Sequence, residues 1–333
     1  MTRPRIFVTQ PVANSALERL RKVAELDFNP DAVHIATKDE LLAAVRTHDI
    51  LFCLLHDRVD GEVIAANPAL KAVASMKITP SDIDVAEATR RRIPVTVIPP
   101  IVTEATADLH MALLLAVARR IVEGDKLVRA GLFPGAQSSH LEGVTLGGKV
   151  LGLIGGGGRI GRAVARRARS FGMKLIYSSP RRKPEAEQEL GMAYVPLDTL
   201  LAQADFVSIH TPLTPETRHQ IGERELGLMK ASAFLINTAR GPVIDESALA
   251  RALIERRIAG AGLDVFEHEP QVDARLITLP NVVLTPHLGS AARELREAMA
   301  NVVVDNIMAV LEGRQPPNCW NAEIYTTPAG SGA

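Results

Sequence analysis

An arginine, a glutamate and a histidine each follow a predicted strand in the second half of the chain: Arg240, Glu269 and His287. The strands before them are predicted over Ala233–Asn237, Gly260–Val265 and Val282–Thr285. Ligands of open parallel sheets bind beyond the carboxyl ends of the strands, so we expect these three side chains to share one crevice. Arginine binds a carboxylate with paired donors, histidine exchanges a proton near neutral pH, and a neighbouring carboxylate orients its ring. The set therefore suits the binding of a 2-oxo acid and the protonation of its carbonyl oxygen.

A glycine-rich loop lies upstream, between the predicted strand Val150–Ile154 and a predicted helix that ends at Phe171. Gly156, Gly158 and Gly161 satisfy the spacing G-x-G-x-x-G, which lets a backbone approach a pyrophosphate at a helix N-terminus. Because a strand and a helix flank it, the loop predicts a dinucleotide site. Four consecutive glycines at 155–158 leave its register open by one residue.

The next predicted strand ends in hydroxyl and cationic residues, namely Ser178, Ser179, Arg181 and Arg182. NAD sites usually place an acidic residue here to bind the ribose 2′-hydroxyl. A carboxylate would repel a 2′-phosphate, whereas arginines bind it with charge-assisted hydrogen bonds. We therefore expect NADP(H) as the preferred cofactor, with NAD(H) as the alternative, and no metal.

The composition limits the classes of partner that the protein is expected to bind. The 333 residues suit two domains, and 38 basic residues balance 38 acidic ones, so no broad positive field is available for nucleic acid or a membrane surface. No segment reads as a signal peptide or a membrane span, and Cys53 and Cys319 are too few for a disulfide framework. We expect a cytoplasmic protein whose partner is a small molecule.

Short apolar runs alternate with helical patterns along the whole chain, which predicts α/β architecture with two doubly wound parallel sheets. Long helices over about 102–128 and 291–311 read as connectors between two lobes. We therefore expect a discontinuous substrate-binding domain, residues 1–101 and 291–333, and an inserted NADP-binding domain, residues 102–290.

The chain resembles the NAD(P)-dependent D-isomer-specific 2-hydroxyacid dehydrogenases, close to the glyoxylate/hydroxypyruvate reductases. The resemblance rests on the glycine loop and on segments 103–108, 210–217, 237–241, 262–270 and 285–290. It implies a Rossmann-type coenzyme domain inserted in a flavodoxin-like domain, a homodimer formed through the coenzyme domains, Arg240 as substrate anchor, His287 as acid/base and Glu269 as its partner. It also implies that Asp264 holds the nicotinamide amide. The further coenzyme contacts that we expect are Thr106, Arg159, Ile160, His210, Thr211, Pro212, Thr217, Thr238, Ala239 and Gly289.

One segment departs from the family pattern. Where these enzymes carry a glycine-rich substrate loop, this chain has Lys77, Ile78 and Thr79, followed by Pro80, which has no N–H. We expect these three residues, together with His56 and Arg240, to contact the substrate. A bulkier loop with a cation predicts poor use of glyoxylate relative to a larger or doubly anionic 2-oxo acid.

The sequence thus predicts an NADP-dependent reductase that converts small 2-oxo acids to D-2-hydroxy acids. Two alternatives stay open. Lys77 and the altered loop are compatible with an oxidoreductase for another small oxyanion, of the phosphite dehydrogenase kind. The same fold can also serve a nucleotide-sensing corepressor or scaffold without catalysis.

Overall fold

The computed structural model describes residues 3–326, which contain twelve strands and thirteen α-helices. The strands are β1 (Arg5–Val8), β2 (Glu25–Phe28), β3 (Ile50–Cys53), β4 (Ala72–Ser75), β5 (Val95–Thr96), β6 (Val150–Ile154), β7 (Lys174–Ser178), β8 (Ala193–Tyr194), β9 (Phe206–Ile209), β10 (Phe234–Asn237), β11 (Gly260–Leu263) and β12 (Val282–Leu284). The helices are α1 (Asn14–Val23), α2 (Lys38–Thr47), α3 (Gly61–Ala65), α4 (Val85–Arg90), α5 (Thr103–Ala118), α6 (Ile121–Arg129), α7 (Arg159–Ser170), α8 (Pro184–Leu190), α9 (Leu197–Gln203), α10 (Glu223–Leu228), α11 (Glu246–Ile254), α12 (Ala274–Thr278) and α13 (Arg293–Leu311).

These elements form two compact units. The first unit comprises the described residues of Met1–Ile101 and Ala291–Ala333, and the second comprises Val102–Ser290. Residues 1–2 and 327–333, which fall in the expected substrate-binding domain, lie outside the described residues. The assignment of substrate to the first unit and coenzyme to the second stays a prediction.

The first unit contains a five-stranded sheet in the order β2-β1-β3-β4-β5, with every pair parallel. This is the flavodoxin-like order, in which helices cover both faces. All residues of β3 and β4 are buried, as the unbroken apolar runs predict. The edge strand β2 alternates half-buried residues with exposed ones and includes Glu25 and Asp27, so an apolar run does not predict it.

The second unit contains a seven-stranded parallel sheet in the order β12-β11-β10-β9-β6-β7-β8. The chain order reverses between β6 and β9, which is where doubly wound sheets open a ligand crevice. One apolar cluster, which includes residues of α9, α10 and α11, packs on this sheet, and a second includes residues of α5 and α7. Both sheets confirm the predicted fold class.

The connector expected over 102–128 is not one helix. Helix α5 ends at Ala118, Arg120 adopts a left-handed conformation with φ of 53°, and α6 begins at Ile121. The apolar pattern continues across this break and contains no Pro there, so the sequence gives no stop signal. Within residues 3–326, no helix is both long and apolar enough to cross a bilayer.

Candidate active site

The three candidate catalytic residues follow three adjacent strands of the second unit. Arg240 follows β10, Glu269 follows β11 and His287 follows β12, and β11 pairs with both neighbours in parallel. The carboxyl ends of parallel strands share one edge of the sheet, so the topology assembles all three at that edge.

His287 and Glu269 are in direct contact. The Nδ1 atom of His287 lies 2.7 Å from Oε2 of Glu269, and the other carboxylate oxygen accepts a 3.0 Å hydrogen bond from the backbone N–H of Phe266. Both side chains are part-buried. Because Glu269 binds Nδ1, the ring is oriented with Nε2 on its far side, as a general acid that protonates a substrate oxygen requires.

Asp264 organises the loop that carries His287. Its Oδ1 accepts hydrogen bonds from Thr285 Oγ1 (2.6 Å) and Leu288 N (2.7 Å), and its Oδ2 accepts one from Gly289 N (2.9 Å). The backbone N–H of His287 donates to the Asp264 carbonyl at 2.9 Å, and His287 itself has φ of 55°. Burial raises the pKa of the Asp264 carboxyl, although these donors oppose the shift. The sequence does not predict this role, and the nicotinamide contact of Asp264 stays a prediction.

Asn237 and Gly241 fix the turn that presents Arg240. The buried Asn237 side chain accepts from Ala239 N at 2.9 Å and donates to Arg240 O at 3.0 Å. A Cβ atom at Gly241 would overlap the carbonyl of Phe266, so only glycine lets this turn pass the segment that leads to Glu269. The exposed Arg240 guanidinium donates to Ala239 O at 2.6 Å. Asn237 and Gly241 were not among the predicted site residues, although both belong to the segment Asn237–Gly241.

The glycine loop has the geometry of a phosphate-binding turn. Gly155 has φ of 77°, and Gly158 is the N-cap of α7. A Cβ on Gly161 would lie 2.7 Å from Gly156 Cα, so the first turn of α7 packs directly on the loop. This packing favours the register Gly156-x-Gly158-x-x-Gly161. Arg159 and Ile160 form the first helical residues, whose N–H groups have no intrahelical partner and suit an anion.

The cations after β7 are not equivalent. Arg182 pairs with Glu187 through two hydrogen bonds of 2.8 and 2.7 Å, and Tyr177 donates to the same carboxylate at 2.7 Å. Arg182 and Tyr177 lower the pKa of Glu187 to about 2. Arg181 is exposed and forms no salt bridge to a described residue. The stem of Lys183 lies against Gly157, so it adds a cation beside the glycine loop.

The remaining predicted coenzyme residues surround the same edge of the sheet. Thr106 donates to Gly289 O at 3.1 Å, and Thr217 donates to Pro212 O at 2.7 Å, which closes the turn after β9. Ser179 donates to Arg181 O at 2.6 Å and Ser178 ends β7. His210 and Thr238, which follow β9 and β10, are linked through buried polar side chains, whereas Thr211 is buried and Ala239 is half-buried.

The predicted substrate-loop residues belong to the first unit. Lys77 is only 5% exposed, and its Nζ lies 2.7 Å from Asp82 Oδ2 and 3.3 Å from the Asp57 carbonyl. Burial raises the pKa of Asp82, but the hydrogen bond and the charge of Lys77, together with a hydrogen bond from Ser81 and the charge of Arg58, outweigh burial and leave the pKa lowered. Ile78 is half-buried, and Thr79 and His56 are exposed. Lys77, which the sequence predicts as a substrate contact, is therefore a buried cation already paired with Asp82.

Comparison with known proteins shows the family to which this chain belongs. Residues 111–289 match the family model "D-isomer specific 2-hydroxyacid dehydrogenase, NAD binding domain". The chain belongs to this family. It is 48% identical to a glyoxylate reductase of Thermococcus litoralis over 98% of this chain and 99% of that protein.

Two solved structures extend the comparison. A protein of Thermus thermophilus shares 45% identity and a TM-score of 0.89, covering 95% of this chain and 99% of that one. An NADPH-dependent glyoxylate/hydroxypyruvate reductase of Sinorhizobium meliloti, solved with NADP and malonate, shares 33% identity and a TM-score of 0.80, covering 99% and 100%. The chain described here is thus an oxidoreductase with a nicotinamide-coenzyme domain.

Proposed function

We propose that this enzyme is an NADPH-preferring reductase of small 2-oxo acids of the glyoxylate and hydroxypyruvate class, which it converts to D-2-hydroxy acids. The observation that carries the proposal is the 2.7 Å contact between His287 and Glu269, which follow β12 and β11 at the same sheet edge as Arg240 after β10. The glyoxylate reductases among its relatives support the substrate class.

The residues divide the work as follows. Arg240 binds the substrate carboxylate with its planar fork and stabilises negative charge on the carbonyl oxygen. His287 donates a proton from Nε2 to that oxygen, and Glu269 stabilises the protonated ring and holds its orientation. The glycine loop and α7 hold the pyrophosphate, with the segment after β7 at the ribose. The reduced coenzyme, when bound, supplies the hydride.

The expected preference for larger, doubly anionic substrates loses part of its physical basis. That expectation depended on the bulk of the loop and on a Lys77 cation available to the substrate, and Asp82 already neutralises this ammonium at 2.7 Å. We propose that Lys77 acts by bracing the loop that carries Ile78 and Thr79. His56, Ile78 and Thr79 stay predicted substrate contacts, and glyoxylate becomes a proposed substrate.

Turnover on a panel of substrates tests the proposal against both alternatives. We expect NADPH consumption with glyoxylate and hydroxypyruvate. Because Lys77 is already paired with Asp82, it does not require a second anionic group on the substrate. Phosphite oxidation with NADP⁺ in the absence of 2-oxo acid reduction would favour the oxyanion alternative. Coenzyme binding without turnover of any substrate would favour the corepressor or scaffold.

Coenzyme preference should depend more on Arg181 than on Arg182. Replacing both arginines with Ala should raise the KM for NADPH roughly tenfold or more, since charged hydrogen bonds contribute about 1.5–3 kcal/mol each, and should change the KM for NADH little. Arg181→Ala alone should account for most of this loss because Glu187 already occupies Arg182. Steady-state kinetics with both coenzymes make the measurement.

A matched variant sharpens this test. Glu187→Gln removes the carboxylate that holds Arg182, so it should lower the KM for NADPH and leave NADH unaffected. A wild-type preference for NADH, or equal losses with both coenzymes in the arginine variants, would refute the assignment.

An exposed apolar surface of the second unit supports the proposed homodimer. Helix α6 has no buried residue, and Ile121, Val128, Leu132 and Phe133 are all more than half exposed. Clustered exposed apolar side chains of this kind mark association surfaces, and a symmetric dimer buries the same patch on both copies. A cytoplasmic location also remains a prediction.

Charges placed in this surface should separate the subunits. Leu132 and Phe133 are 67% and 64% exposed, so replacing both with Asp costs little in the monomer but places charges in the proposed interface. We expect light scattering to report a dimer for the wild type and a monomer for the double variant. Ile277→Asp, at a residue 61% exposed in the same unit, should stay dimeric. A double variant that stays dimeric would place the interface elsewhere.

A further inference from the structure

A continuous chain of polar side chains, three of them buried and His210 half-buried, runs through the second unit beneath the strand ends. Thr238 Oγ1 lies 3.0 Å from His110 Nδ1, His110 Nε2 lies 2.7 Å from Ser208 Oγ, and Ser208 Oγ lies 2.6 Å from His210 Nε2. The two imidazole rings are 4.8 Å apart. We refer to these four side chains, Thr238, His110, Ser208 and His210, as the imidazole chain.

The imidazole chain links two segments that carry predicted coenzyme contacts. His110 lies on α5 and Ser208 lies on β9. The two ends of the imidazole chain, His210 and Thr238, follow β9 and β10. A Cβ on Gly155 would lie 2.9 Å from the His210 carbonyl carbon, so the His210 end passes directly beside the glycine loop. His110 and Ser208 are fully buried, so neither meets the coenzyme itself.

Both histidines are neutral at physiological pH. Burial lowers the pKa of His110 well below its ordinary value, with the nearby His210 adding to the effect, and burial lowers the pKa of His210 to about 3. A neutral imidazole carries one proton, so one ring nitrogen donates and the other accepts. The number of protons in the chain is therefore fixed, and only their positions can change.

Counting these protons leaves two arrangements. In the first, Ser208 donates to His110, His110 donates to Thr238, and His210 donates to Ser208, which leaves His210 Nδ1 as an acceptor. In the second, Thr238 donates to His110, His110 donates to Ser208, and Ser208 donates to His210, which leaves His210 Nδ1 as a donor. Because Ser208 has a single hydroxyl proton, it cannot donate to both rings, and the two ends change together.

We propose that His110 is a positioning residue for the coenzyme, one that couples the hydrogen-bonding role of His210 Nδ1 to that of the Thr238 hydroxyl. A coenzyme that accepts a bond from one end thereby fixes what the other end offers. This inference rests on the proposed function, since it takes the ligand at both ends to be the nicotinamide coenzyme.

The imidazole ¹⁵N resonances of His110 test the coupling without any turnover. Protonated and unprotonated ring nitrogens have distinct shifts, so they report the proton position directly. We expect addition of NADP⁺ to move the Nδ1 and Nε2 resonances of His110 in opposite directions, although His110 is fully buried. The resonances are assigned by their loss in His110→Phe.

Ser208→Ala breaks the link while leaving both rings in place. In this variant His110 should no longer respond to NADP⁺, and the NADP⁺ dissociation constant should rise roughly 2- to 10-fold, the worth of one net hydrogen bond. His110→Phe should weaken NADP⁺ similarly if it folds. Ser170→Ala, on the exposed end of α7, should leave both readouts unchanged.

Two results would overturn the inference, and they differ in what else they remove. Wild-type protein that binds NADP⁺ with unchanged His110 resonances, or a Ser208→Ala variant in which His110 still responds, overturns the coupling alone. Wild-type protein that binds neither coenzyme overturns the proposed function and the coupling with it.

Discussion

Replacing His287 with Asn should lower kcat for 2-oxo acid reduction by about 10²-fold or more, the usual size of a general acid's contribution. The Asn amide can occupy the position of Nδ1 and keep a hydrogen bond to Glu269, but it has no proton to transfer from the position of Nε2. NADPH binding should be largely retained because the glycine loop is untouched. Stopped-flow turnover and a fluorescence titration of NADPH separate the two effects.

The neighbouring histidine provides the matched control. His268 is exposed one residue before Glu269, so His268→Asn changes the same residue type in the same segment and should leave kcat unchanged. A His287→Asn enzyme with near-normal kcat, measured under conditions where His268→Asn is also normal, would remove His287 from the mechanism.

The enzyme should lose stability in mild acid because of two histidines, His110, which is buried, and His210, which is half-buried. An unfolded chain protonates them below their ordinary pKa of 6.5, whereas the folded chain holds His210 neutral down to about pH 3 and lowers the pKa of His110 as well. The unfolded state therefore binds more protons between these limits. By linkage, the contribution of these two histidines to the free energy of unfolding is fully present above about pH 6.5 and is lost progressively as the pH falls below that value.

The expected loss is large. At about pH 5, His210 contributes a loss on the order of 2 kcal/mol, since each pH unit below the ordinary value costs about 1.4 kcal/mol, and His110 adds a loss of the same sign. Carboxylates whose pKa values are lowered, such as Glu87 and Glu187 at about 2, contribute only below their ordinary value of 4.5. His34, whose pKa Glu40 raises, acts in the opposite direction.

Urea unfolding between about pH 7 and 5 measures this dependence. His110→Phe removes one of the two groups, so its free energy of unfolding should fall less steeply with pH than that of the wild type, whatever its value at neutral pH. Parallel dependences in the two proteins would show that His110 is protonated in the folded state as readily as in the unfolded one.

The sequence predicts the parts of this enzyme that depend on local pattern. Unbroken apolar runs predict the parallel strands. Because the carboxyl ends of these strands share one edge of the sheet, the positions of Arg240, Glu269 and His287 after three strands predict that they lie at that edge. The glycine spacing predicts the turn into α7. Each of these inferences needs only neighbouring residues and the rule that connects them.

What the sequence does not predict depends on contacts between distant residues. The chain does not show that Asp82 neutralises Lys77, that Glu187 occupies Arg182, or that Asp264 holds the His287 loop. The sequence does not reveal the break at Arg120, because the residue in the left-handed conformation is an arginine and not a glycine or asparagine that would mark a helix end. His110 reads as one polar residue in an apolar helix until β9 supplies Ser208 as its partner.

The reaction that the site supports is the reduction of a 2-oxo acid to the D-hydroxy acid with a nicotinamide coenzyme. The most direct test incubates the purified wild-type enzyme with hydroxypyruvate and NADPH, following coenzyme consumption while chiral chromatography resolves the glycerate formed. We predict that each NADPH consumed yields one D-glycerate. No consumption of NADPH with either hydroxypyruvate or glyoxylate, or formation of the L product, would contradict this reaction.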